Sequence, residues 1–326
     1  MPTNPNGTRW DGKRERFYEV WYGIFTRPET REAWWIRYTL TNPLSVDDGM
    51  GAGLWFNYVN LAEPRRSVAV IKHFPASGFT GEPISIAGAR LAGDGMAGAF
   101  EEAGHSVAWN LKYQPSPATH YFFPEWLRRA TQSISSVTMP NPLVFASGEV
   151  TIDGTKMALD GVRGHTCHHW GKRRAKGWRW AHCNDFREDR DAIVEVLYPT
   201  LPPLPRPTFI NLYVGGEHIF AGGFTGGETT RSGRTWRYAA TGATARVVVT
   251  FVAPEKSILR LGYVSPDGNR SNVFNSLLSE CSVRVERRKH RFASFGPAET
   301  LTGVGPAEEV TPDVVADLDR ERIPGL

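Results

Sequence analysis

Cysteine is scarce: Cys167, Cys183 and Cys281 are the three in a chain of 326 residues. An odd, low count does not build a disulfide framework. No apolar run reaches about 18 residues, so no membrane-spanning helix is written in the sequence. The opening stretch, Met1 to Trp10, is polar and lacks the apolar core of a signal peptide, so the cytoplasm is the expected compartment. Phosphate loops of the GxGxxG or GxxxxGK[ST] type and the G-x-S-x-G elbow are also missing. Their absence removes the usual nucleotide-binding and hydrolase signatures.

The composition is that of a folded protein, with 40% hydrophobic and 22% charged residues. Aromatics reach 12%, with 11 tryptophans, which suits wide apolar pockets and Trp-heavy cores alike. The net charge is +4. Basic residues gather at 172–176 and 284–291 without zinc-ligand pairs or an aromatic RNA-binding motif. Nucleic acid is therefore not the expected partner, whereas peripheral contact with an anionic membrane surface is compatible with such clusters.

The dominant local pattern has period two. Trp34, Ile36, Tyr38 and Leu40 alternate with Trp35, Arg37 and Thr39, and Val107, Trp109, Leu111 and Tyr113 repeat the pattern. So do Val247, Val249 and Phe251, and again Cys281, Val283 and Val285. Such alternation predicts strands with one buried face. Further strands are expected at 53–60, 66–73, 84–91, 143–151, 156–163, 178–186, 192–198, 208–214 and 257–263. Turn signals at Asp94-Gly95, Asp153-Gly154, Gly215-Gly216 and Pro266-Asp267-Gly268 separate several of them. Only two short helices are expected, one opened by Pro124 and one capped near Thr311-Pro312-Asp313. The segment 199–207, five prolines in nine residues, reads as an extended interruption. The expected class is all-β, an antiparallel sandwich or barrel.

Residues 163–186 concentrate the chemistry: four of nine His, two of three Cys and three of eleven Trp. The pattern predicts a hairpin with a basic tip at 171–177. His165, Cys167 and His169 would share one face of its first strand, and Thr166, His168 and Trp170 the other. Three readings follow. In the first, Trp170, Trp178 and Trp180 wall an apolar pocket while His168, His169 or Asn184 orients or protonates a ligand. In the second, His165, Cys167 and His169 hold zinc, although their spacing matches no standard zinc motif. In the third, the cluster closes a barrel and has no ligand.

His168-His169-Trp170-Gly171, followed by Trp178-x-Trp180 and Cys183-Asn184-x-Phe186, resembles the tocopherol cyclase and carotenoid 1,2-hydratase-like (AttH-type) group. Phe17-Tyr18-Glu19-Val20-Trp21-Tyr22 and Trp34-Trp35-Ile36-Arg37-Tyr38-Thr39-Leu40 resemble its opening segments. The resemblance implies two tandem lipocalin-like β-barrels, 1–170 and 171–326, with the signature segment near their junction. It also implies a large apolar substrate (isoprenoid, polyene or polyketide-like) and cyclisation, hydration or pericyclic rearrangement without an organic cofactor. On that basis His168 and His169 are the expected catalytic groups, and Trp170, Trp178, Trp180 and Asn184 bind substrate. The hydratases' acidic pair would fall near Cys167 and His169, which are not acidic here, leaving Asp185 and Glu195 as carboxylates without a motif. A non-catalytic lipid or pigment carrier is the alternative.

Overall fold

The computed structural model describes residues 4–12, 16–42, 51–131, 134–200, 207–224, 227–266 and 270–311. The chain divides into two compact units, Met1–Arg174 with Val264–Arg270, and Ala175–Tyr263 with Ser271–Leu326.

The first unit is a meander of β1 (Phe17–Arg27), β2 (Glu32–Asn42), β3 (Ala52–Asn60), β4 (Val68–Phe74), β5 (Phe79–Gly81), β6 (Ile84–Ile86), β7 (Ala89–Ala92), β8 (Gly95–Glu102), β9 (His105–Lys112), β10 (His120–Tyr121), β11 (Ser135–Ile152) and β12 (Thr155–Gly171). One helix, α1 (Glu125–Thr131), precedes β11. The strand order is β4-β3-β2-β1-β12-β11-β9-β8-β7-β6-β5, so the last long strand returns beside the first. All the pairings are antiparallel. The second unit contains β13 (Gly177–Cys183), β14 (Ile193–Thr200), β15 (Thr208–Val214), β16 (Glu217–Gly223), β17 (Gly227–Ser232), β18 (Thr235–Thr241), β19 (Ala245–Val252), β20 (Ile258–Val264), β21 (Arg270–Arg287) and β22 (Ala298–Thr311). Its order, β16-β15-β14-β13-β22-β21-β19-β18-β17, repeats the same scheme.

Period-two alternation decides what each barrel encloses. In the first unit Trp21, Phe25, Trp34, Ile36, Tyr38, Phe56, Tyr58 and Trp109 meet in one core. Phe56 stacks on Trp109 at 6.0 Å, and Tyr38 meets the same indole edge-on at 6.3 Å. Trp109 Nε1 donates to Tyr38 Oη, so the buried indole is paired. The second unit's core is built from Val194, Val196, Ile210, Leu212, Trp236, Tyr238, Val247, Val249, Phe251 and their neighbours. Each barrel axis is thus occupied by the protein's own side chains.

Several expected boundaries shift. The strand expected at 84–91 is two, β6 and β7, because Ala87 and Gly88 take positive φ and turn the chain. The strands expected at 143–151 and 156–163 are longer, as β11 and β12. The hairpin expected over 163–186 does not form. β12 pairs with β1 and β11, whereas β13 pairs with β14 and β22, so the two strands enter different sheets. Local alternation fixes a strand but not its partner, and the partner of β12 is the N-terminal strand. The C-terminal helix expected after 311, Asp267-Gly268 and most of the proline-rich segment lie outside the described residues. Among the described residues no helix is long and apolar enough to cross a membrane.

Candidate functional site

Strands β1 to β3 and the second half of β12 are buried on both faces, unlike β9, whose alternate residues are exposed. A doubly buried strand that carries His, Arg and Asn is where ligand chemistry is sought first.

On the inward face, His168 lies opposite Trp21 in the register, with Thr166 and Trp170 on the same side. His168 is fully buried, and both ring nitrogens are engaged. Nδ1 lies 2.8 Å from Pro5 O and Nε2 lies 2.8 Å from Glu19 Oε1. Both partners are oxygen acceptors. The ring stacks on Trp21 at 5.1 Å and tilts against Trp170 at 4.5 Å. Glu19, also fully buried, accepts further bonds from Arg9 N (2.6 Å), Trp10 N (3.0 Å) and Thr8 Oγ1 (2.9 Å). Trp21 Nε1 donates to Asn6 O. The His168–Glu19 pair therefore latches residues 5–10 onto the end of the barrel. Both ring nitrogens of His168 are thus engaged within the protein.

The outward face is different. Its rows run across the strands: Val20 with Thr39 and His169, then Tyr22 with Arg37 and Cys167, then Ile24 with Trp35 and His165. Tyr18 Oη lies 2.6 Å from His169 Nε2, and Ser135 Oγ is 3.0 Å from Tyr18 Oη and 3.2 Å from His169 Nε2. The Arg174 guanidinium sits over the Tyr18 ring at 4.4 Å. Burial, followed by the cations Arg174 and Arg37 and by His168, holds the His169 imidazole well below its ordinary range, so it is neutral near pH 7. Burial pushes the Tyr18 phenol up to about 12, against Arg174 and the Ser135 hydrogen bond. A neutral imidazole in short contact with a protonated phenol can pass a proton in either direction.

Around this triangle the face is aromatic and cationic. Arg37 lies over Trp55 at 4.5 Å and Trp35 at 5.6 Å, and Tyr22 packs edge-on to Trp35 and His165. Asn57, directly opposite Trp35, is fully buried, and neither atom of its amide has a partner among the described residues. His165, Cys167 and His169 share this face as expected, yet among the described residues no three His, Cys, Asp or Glu side chains converge as a metal site.

In the second unit Trp178, Trp180 and His182 project from the face of β13 opposite Ala181 and Cys183, which enter the core. Trp170 belongs to the inward face of the first unit. Glu308, unforeseen from sequence, is buried and accepts from Trp178 Nε1 (2.9 Å), Tyr263 Oη (2.9 Å) and Asn275 Nδ2 (3.1 Å). Trp178 stacks on Tyr263 at 6.1 Å. Glu195, fully buried, faces His182 in the register. Asn184 is buried beyond the end of β13, and Asp185 pairs with Arg190 at 3.3 Å. Glu309 points the other way, into the barrel, where Arg179 and Arg231 both bind it.

Tyr18, Arg37, Asn57, Ser135 and Glu308 are the site groups that sequence reasoning missed. Tyr18 was legible as part of the opening segment, without a role. Ser135 and Glu308 depend on strands that extend beyond, or lie outside, the expected ones.

Two tandem antiparallel barrels of this strand order define a lipocalin-like double-barrel protein. By structure the chain is similar to kievitone hydratase from Nectria haematococca, at 12% identity and TM-score 0.52, covering 91% of this chain and 90% of that one. It is also similar to a protein assigned as AttH from Nitrosomonas europaea, at 14% identity and TM-score 0.55, covering 97% of each chain. A third similar structure is CghA, at 11% identity and TM-score 0.60, covering 95% of this chain and 93% of that one. By sequence, no known family and no curated protein matches the chain. At these identities the likeness establishes the fold, and chemistry has to be argued from the residues.

Proposed function

We propose that the protein is a hydratase or cyclase that moves a proton on a large apolar substrate of isoprenoid, polyene or polyketide-like character. The reading rests on one observation above the others: the Tyr18–His169–Ser135 triangle on a buried, aromatic-lined face. In this reading the Tyr18–His169 pair delivers a proton to one carbon of a double bond. The oxygen of water, or the substrate's own hydroxyl, bonds to the other carbon and gives its proton back to the pair. Arg37, between Trp35 and Trp55, and the unpartnered Asn57 amide would hold the substrate's polar end, while the indole faces shield its apolar body. In this reading His168 positions β12. The name of one structural neighbour, kievitone hydratase, lends support, as does the motif resemblance to carotenoid hydratases and tocopherol cyclases. The carrier alternative places an apolar ligand on the same buried face without turnover.

The test is incubation of the purified protein with prenylated phenols, polyenes and polyenones in ¹⁸O-labelled water or D2O, read by mass spectrometry. Turnover with label incorporation, falling about 100-fold or more in His169→Ala and Tyr18→Phe, is the expected result. A compound that binds and is always recovered unchanged makes the protein a carrier. Turnover at the wild-type rate in both variants removes these residues from the mechanism.

A further inference from the structure

We infer that the protein docks on an anionic lipid bilayer through the surface formed by α1, Ile134 and the loop after β12. Six large apolar side chains are exposed among the described residues, and three of them, Trp126 (63%), Ile134 (45%) and Tyr121 (38%), fall within one short stretch of the first unit. The other three, Phe145, Val252 and Phe292, come from separate segments, and scattered single residues of that kind are ordinary.

The stretch is built to stand out from the barrel. None of the residues of α1 is buried, so the helix gives nothing to the core. Ile134 N donates to Thr131 O, which ties it to the helix end. Lys172 N and Arg173 N both donate to Ile134 O, which brings the loop after β12 alongside. Both of those basic side chains are exposed. Arg128 lies over the Tyr121 ring at 3.8 Å, and Arg129 is exposed on the same helix. The acidic residue of the helix, Glu125, is bound to Arg129. The surface therefore carries Arg128, Arg129, Lys172 and Arg173 against one carboxylate, with the Trp126 indole and the Ile134 sec-butyl group exposed on it.

That combination fits a lipid headgroup layer better than a protein. Exposed Trp and Tyr favour the interfacial zone, where one end of the ring is apolar and the other wet. Basic side chains nearby are attracted to acidic lipids, and their effects add over a few residues. Three exposed apolar side chains, one of them on the seven-residue helix and two beside it, are far below the roughly 1,000 Å² that a stable protein interface buries. They suit shallow, reversible insertion.

The experiment is cosedimentation of the full chain with vesicles of phosphatidylcholine, and of phosphatidylcholine mixed with phosphatidylglycerol. Binding is expected only to the mixed vesicles and is expected to weaken as salt is raised. Lys172→Glu with Arg173→Glu should reduce the bound fraction about ten-fold or more. Trp126→Ser with Ile134→Ser should reduce it several-fold, and the indole fluorescence change on binding should go with it. Circular dichroism and the thermal midpoint of each double variant report whether the barrel is intact. Absence of wild-type binding, or wild-type binding by both intact variants, overturns the inference. So does a concentration-dependent dimer that the Trp126 and Ile134 substitutions abolish, because a second copy would then cover the surface.

Discussion

Glu19 shows how one residue organises a chain end. A fully buried carboxylate is costly unless its lone pairs are met, and here Arg9 N, Trp10 N, Thr8 Oγ1 and His168 Nε2 meet them. Removing it should cost about 3 kcal/mol or more, since His168 then stays buried without its carboxylate and the segment 5–10 loses its anchor. The expected result for Glu19→Ala is a lower urea midpoint together with new proteolytic cleavage near residues 4–12. Unchanged cleavage would mean that the segment is held by Trp10 and Asn6 alone. The resemblance segments made His168 legible as special, but its role was not. Which nitrogen faces which acceptor depends on a chain end some 160 residues away, and no local pattern carries that. His169 was legible for the same reason, while its partner Ser135 was hidden.

At the scale of elements, Ser135 was hidden because the expected strand begins at 143, beyond Pro140 and Pro142, which are disfavoured inside a ladder. The strand nevertheless runs through them as β11. Register shifts between Thr138 and Asn141, and again between Asn141 and Val144, place both prolines where the ladder is already broken. Asn141 repairs the gap: its Nδ2 donates to Thr166 Oγ1 at 2.8 Å, and its Oδ1 accepts from Ser116 N at 2.8 Å. Asn141→Ala should therefore destabilise the protein by about 2 kcal/mol, because the buried Thr166 hydroxyl and the half-buried Ser116 N–H lose this partner. Asn141→Asp, which keeps the acceptor, should cost less, and denaturant midpoints of the two variants decide the matter. No strand is expected from the sequence at β22, whose Gly303, Gly305 and Pro306 interrupt any period-two pattern. Both glycines are needed for close approach to neighbouring backbone. A Cβ at Gly305 would lie 2.1 Å from His182 O, and one at Gly303 would lie 2.3 Å from Asp185 O. Once β22 is a strand, the neighbouring carboxylates Glu308 and Glu309 must point to opposite faces. One enters the barrel and the other joins the Trp178 cluster. The long alternating strands were readable throughout, whereas pairings between distant strands were not.

Across the whole molecule, the burial that shapes the outward face also sets a pH dependence. His165 is 2% exposed, and burial lowers its imidazole from 6.5 to about 3. His169 is displaced in the same direction, by burial first and then by Arg174, Arg37 and His168. In the unfolded chain each imidazole takes up a proton as the pH falls through about 6.5. In the folded protein His165 stays neutral down to about pH 3. Between those values the unfolded state binds more protons, so the stabilisation is complete above about pH 6.5 and is lost progressively as the pH falls towards 3. For His165 alone the loss should reach about 2 kcal/mol by about pH 5. Urea midpoints measured at about pH 7.5 and about pH 5 should differ accordingly, and the difference should shrink in His165→Leu. That comparison uses the change between the two pH values, so any constant packing effect of the leucine cancels. If the variant loses as much stability on acidification as the wild type, His165 is not the titrating group, and His169 on the same face is the next to substitute.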